Sequence, residues 1–111
     1  MFTEIKSFDE FLQLKEKEEA VLAYFSTDAC NVCKVLKPKV ETLIKTEFPK
    51  IKLAYIKSDV LPEVAAQNNV FTAPTVLIFF DGREYIRKSR AFGIEGLQQE
   101  IARPYSMIFE D

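Results

Sequence analysis

The chain has 111 residues, 48% of them hydrophobic, with 15 Lys and Arg against 17 Asp and Glu for a formal charge of −2. That length suits a single domain, 1–111, with one core. The nearly balanced charge offers no footprint for nucleic acid or an anionic membrane, and the apolar runs, Ala20 to Phe25 and Val76 to Phe80, are far too short to span a bilayer.

The start, Met1-Phe2-Thr3-Glu4-Ile5-Lys6, carries charge early and has no continuous apolar stretch, so no secretory signal and a cytoplasmic location are expected. Thr3 to Ile5 predicts a short edge strand. Ser7 with Glu10 matches a capping box, and Phe8, Phe11, Leu12 and Leu14 supply the apolar face of a first helix. The charged run Lys15 to Glu19 closes it as solvated surface.

Residues 20–25 read as a buried strand. Ser26-Thr27-Asp28 is a turn and cap, followed by Cys30-Asn31-Val32-Cys33 and a second helix. Val32, Val35, Leu36, Val40, Leu43 and Ile44 are expected on its inner side. Lys34, Lys37, Lys39 and Lys45 are expected mostly on the outer one. Pro38 removes a backbone donor and predicts a kink.

Residues 51–56 predict another strand, and Pro62 to Gln67 a short helix ended by Asn68-Asn69. Thr75 to Phe80 predicts a strand, Asp81-Gly82 a hairpin turn, and Glu84 to Arg90 its partner. A last helix runs from Ile94 to Ala102 and stops before Pro104. The apolar tail Tyr105-Ser106-Met107-Ile108-Phe109 is expected to pack back on the domain, with a dimer or partner contact as the other reading. The order β-α-β-α-β-α-β-β-α implies an α/β fold with a central mixed sheet flanked by helices on both faces.

The chemistry concentrates in two residues. The chain holds only two cysteines and no histidine. A thiol at the first turn of a helix faces unpaired N–H groups and the positive end of the helix dipole, which favour the nucleophilic thiolate. A thiol three residues on lies one turn away, so strand, C-x-x-C and helix together make the setting of a redox dithiol. Cys30, nearest the helix start and solvent, is the candidate nucleophile, and Cys33 the resolving thiol. Asn31 and Val32 bring no positive charge and Asp28 opposes ionisation, which points to a reductant more than an oxidant. In a reducing compartment a cycling disulfide is favoured over a structural one. A zinc site would need two further ligands that neither histidine nor a third cysteine can supply, so no metal is expected. With three glycines and none in a phosphate loop, no nucleotide cofactor is expected either.

Three features in order give the chain its resemblance to the thioredoxin family: Cys30–Cys33 at a helix start, Ala73-Pro74-Thr75 before the strand Val76 to Phe80, and the Asp81-Gly82 hairpin followed by Phe92-Gly93 and a terminal helix. The resemblance covers nearly the whole chain. It implies a thioredoxin fold, with Pro74 cis and seated against the dithiol, and Ala73 presenting a backbone edge to which a substrate peptide pairs. It also implies protein disulfides as substrates, no cofactor, and a thioredoxin reductase as candidate electron donor. The chain departs from the family in four ways. Trp-Cys-Gly-Pro-Cys is replaced by Ala29-Cys30-Asn31-Val32-Cys33, the buried aspartate of the preceding strand falls on Tyr24, and the lysine of the next strand falls on Tyr55. The arm from Arg83 to Arg90 is also a few residues longer. Two readings stay open: a protein-disulfide reductase, and a partner-binding module of the same fold with little redox activity.

Overall fold

The computed structural model describes residues 1–90 and 92–109. The elements are β1 (Phe2–Glu4), α1 (Phe8–Lys17), β2 (Ala20–Ser26), α2 (Asn31–Glu47), β3 (Lys52–Lys57), α3 (Pro62–Gln67), β4 (Thr75–Phe80), β5 (Arg83–Ser89) and α4 (Ile94–Phe109). They form one five-stranded sheet in the order β1-β3-β2-β4-β5. β1, β3 and β2 run parallel, whereas β4 runs antiparallel to β2 and β5 antiparallel to β4. This is the thioredoxin fold, a mixed sheet with four helices.

β2 and β4 are buried along their whole length, as strands covered on both faces must be. Their alternating side chains divide the interior in two. Leu22, Tyr24, Val76 and Ile78 face α2 and α4, packing on Leu36, Val40, Leu97 and Ile101. Val21, Ala23, Phe25, Leu77 and Phe79 face the other way, onto Phe11 of α1 and Val64 of α3. The hairpin turn puts Asp81 at φ 54° and Gly82 at φ 78°, the two left-handed residues a type I′ turn requires. β5 then carries one extra residue. Ile78 pairs with Ile86 while Phe79 pairs with Glu84, which leaves Tyr85 bulged, its ring edge-on to Phe80 at 5.3 Å.

Four local expectations change. At α1, Ser7 Oγ caps the Glu10 N–H, but the Glu10 carboxylate reaches back to the N–H of Lys6 and not that of Ser7. On the same helix Leu12 is 40% exposed while Phe11 is buried. On α2 the buried row is Cys33, Leu36, Val40, Leu43 and Ile44. Val32 and Val35 face solvent at 59% and 62% exposure, because they lie one residue off that row at 3.6 residues per turn. Finally, α4 does not stop before Pro104 but passes through it to Phe109. Pro104 forfeits one ladder bond, and apolar packing maintains the helix past it. The Tyr105 ring meets Phe48 at 5.0 Å and Phe109 at 4.7 Å, and its hydroxyl accepts the Lys50 N–H at 3.2 Å. The tail thus packs back on its own domain, as a continuation of the helix.

Candidate active site

β2 ends where β4 begins. The two strands are antiparallel, and Phe25 is registered opposite Thr75. The residues after β2 and those before β4 therefore meet at one end of the central strands. After β2 the chain turns, with the Cys30 N–H donating to the Thr27 carbonyl at 3.1 Å, and enters α2. The cap of α2 is Cys30 itself, and not a residue of the Ser26-Thr27-Asp28 turn: its Sγ accepts the Cys33 N–H at 3.1 Å. Cys30 is half-buried and Cys33 fully buried, and the two are joined as a disulfide.

Before β4 comes the cis Ala73–Pro74 bond. Its loop is pinned on both sides. The Arg90 N–H donates to the Pro74 carbonyl at 2.8 Å, and Thr75 Oγ1 donates to the Thr72 carbonyl at 2.7 Å. Cys30, Ala73 and Pro74 line a common groove of about 580 Å³ together with Val32 and Arg90. The sequence-predicted residues Cys30, Cys33, Ala73 and Pro74 are thus brought to one place: three of them line the groove, and Cys33 is bonded to one that does.

Behind the disulfide sits Tyr24, fully buried, its hydroxyl donating to the Cys33 carbonyl at 2.6 Å. Its ring stacks on Tyr55 at 6.1 Å and tilts against Phe2 at 5.6 Å. Loss of hydration on burial, with Tyr55 adding to it, raises the Tyr24 hydroxyl pKa far above the ordinary phenol value. This group stays neutral and donates. Lys37, read from the sequence as an outer-face residue, is half-buried, and its Nζ lies 3.8 Å from the Tyr55 ring centroid and 5.4 Å from that of Phe2. It sits four residues after Cys33, hence on the same helix face, and that spacing is the signal that could have found it. Asp28 is exposed and does not line the groove.

Two residues of this surface escaped the sequence reading. Arg90, at the end of the β5 arm, holds a left-handed φ of 63° and is, among the described residues, the one charged side chain lining the Cys30 groove. Phe71 is 80% exposed and borders a second hollow that shares Thr27 and Ala73 with the first. Neither belongs to a motif, so only the folded chain places them there. Among the described residues no group of His, Cys, Asp and Glu could hold a metal ion, and no helix is long and apolar enough to cross a membrane.

The sequence model of the thioredoxin family matches residues 1–103. The chain belongs to the thioredoxin family. It is 38% identical over 84 residues to the thioredoxin-like protein YdfQ of Bacillus subtilis, covering 76% of this chain and 74% of that one. To the thioredoxin of Bacillus subtilis it is 30% identical over 101 residues, 91% of this chain and 96% of that one. Among solved structures, Fasciola hepatica thioredoxin superposes with a TM-score of 0.80 at 29% identity, covering 90% of this chain and 96% of that one. Family membership and the bonded cysteine pair together make this thioredoxin-family protein a thiol–disulfide oxidoreductase.

Proposed function

We propose that the protein reduces protein disulfides, with Cys30 as attacking thiol and Cys33 as resolving thiol. The observation that carries this reading is the asymmetry of the pair. Cys30 is half-buried, caps α2 and opens on the groove, whereas Cys33 is fully buried behind it. In the reduced protein the Cys30 thiolate attacks one sulfur of a substrate disulfide. That bond breaks, a Cys30–substrate bond forms, and the departing substrate thiolate takes up a proton. Cys33, as thiolate, then attacks Cys30 Sγ and expels the second substrate thiolate, which is protonated in turn. Two electrons leave the protein, and the Cys30–Cys33 disulfide remains.

The groove supports a place for the substrate. The edge at Ala73 beside Pro74 lines the same hollow as Cys30, and an extended segment would pair there strand-wise. The uncharged Asn31 and Val32 between the cysteines favour the reducing direction, in a reducing compartment such as the cytoplasm with a thioredoxin reductase as electron donor. The reading is tested by following reduction of a protein disulfide such as insulin with a dithiol as terminal donor. Wild type is expected to turn over well above background, and Cys30→Ser to stay at it. Equal rates for the two would leave partner binding as the role of the fold.

A further inference from the structure

The two hollows beside Cys30 form one trough. The larger, about 580 Å³, holds Cys30, Val32 and Arg90, and the smaller, about 260 Å³, holds Phe71 and Thr72. They meet at Thr27 and Ala73, which line both. An extended segment that crosses Ala73 with its sulfur at Cys30 would thus run towards Arg90 on one side and Phe71 on the other.

The two ends differ in chemistry. Among the described residues no acidic side chain lines either hollow. The neighbouring cations of β5 are already engaged: Arg87 forks onto Glu84 and also donates to the Asn68 and Asn69 carbonyls, and Lys88 pairs with Glu100 on α4. Arg90 has no ion pair among the described residues, and its N–H is bonded to Pro74, which fixes its backbone beside the groove. The free guanidinium is a donor fork suited to a carboxylate. At the other end Phe71 offers an apolar face at 80% exposure.

We propose that this trough gives the protein a substrate preference: disulfide-bearing segments with an acidic side chain on the Arg90 flank of the target cysteine and an apolar one on the Phe71 flank. The inference rests on the reductase reading and adds the class of segment that the site takes.

The test uses the reduced full-length chain and disulfide peptides that differ only at the two flanking positions, Glu or Gln on one and Leu or Ser on the other. Second-order rate constants of reduction are measured at low and high salt. An exposed ion pair is modest, so the Glu peptide is expected to react about twofold to fivefold faster than its Gln twin, and added salt should shrink the advantage. Arg90→Gln should bring the Glu/Gln ratio close to one, and Arg90→Glu should invert it. Phe71→Ser should erase the preference for Leu over Ser while leaving the Glu/Gln ratio in place. A wild-type ratio of one, or a ratio unchanged in Arg90→Gln, would overturn the preference while leaving reduction standing. Failure of wild type to reduce any of the peptides would instead overturn the reductase reading, and this inference with it.

Discussion

The Tyr24 hydroxyl donates to the Cys33 carbonyl at 2.6 Å, so the turn that carries the buried thiol is held from behind by a phenol. In the proposed mechanism, resolution of the mixed disulfide needs Cys33 as thiolate, and a buried thiol resists ionisation. A carboxylate at the position of Tyr24 could accept that proton, whereas a neutral phenol committed as a donor cannot. The mixed disulfide at Cys30 is therefore expected to be long-lived. Stopped-flow resolution of a preformed mixed disulfide should be faster in Tyr24→Asp, or in Tyr24→Glu if the shorter side chain fails to fold. A folded acidic variant that resolves no faster would remove Tyr24 as the limiting feature.

The same phenol makes an alkaline prediction. Because the native Tyr24 pKa is raised by burial, the folded protein keeps a proton that the unfolded chain releases above about pH 10. Where the native state binds more protons, stability falls as pH rises. The contribution is thus whole below about pH 10 and is lost as pH climbs towards the raised native value. Tyr24→Phe should cost about 1 kcal/mol at neutral pH through the lost hydrogen bond and should show a shallower loss above pH ~10. Denaturant unfolding at neutral and alkaline pH measures both, and parallel slopes in the two proteins would contradict the assignment.

The helix beyond Pro104 gives a test of packing. Tyr105 bridges Phe48 and Phe109, and aromatic pairs add about 0.5–1.5 kcal/mol each beyond their buried area. Tyr105→Ala should lower the unfolding free energy by about 2 kcal/mol without making stability depend on protein concentration. A concentration-dependent midpoint would show that this face packs between copies and not on its own domain.

Most of the architecture was legible because each element carries its own signal. A continuous apolar run marks β4, Asp81-Gly82 marks the hairpin, and the Ser7 cap marks α1. The dithiol and Pro74 were legible as motifs with a fixed order along the chain. The errors arise where tertiary contacts outweigh local rules. Pro104 is a helix breaker in isolation, but Tyr105, Ile108 and Phe109 find partners on the core that reward continuing. Val32 and Val35 are apolar yet exposed, because the buried row of α2 is set by the position of the sheet and not by hydrophobicity alone. Lys37 carries a charge yet lies over Tyr55, where the ring face offsets part of its lost hydration. Arg90 and Phe71 carry no pattern of their own. They join Cys30 only through the antiparallel register of β2, β4 and β5.

Lys37 yields a further expectation. Its ammonium over Tyr55 is the kind of cation–π contact worth about 0.5–1 kcal/mol at a partly exposed site. Lys37→Gln should destabilise by that order, while Lys39→Gln, an exposed lysine on the same helix, should be neutral. Equal effects from the two would deny Lys37 a role distinct from the surface lysines.

The division of labour between Cys30 and Cys33 is the core of the account, and trapping tests it most directly. The reduced variants Cys33→Ser and Cys30→Ser are each mixed with a protein disulfide, and covalent adducts are read by mass spectrometry without reductant. Cys33→Ser should hold the substrate as a stable mixed disulfide at Cys30, and Cys30→Ser should hold none. Adducts on Cys30→Ser alone would reverse the assignment and contradict the account.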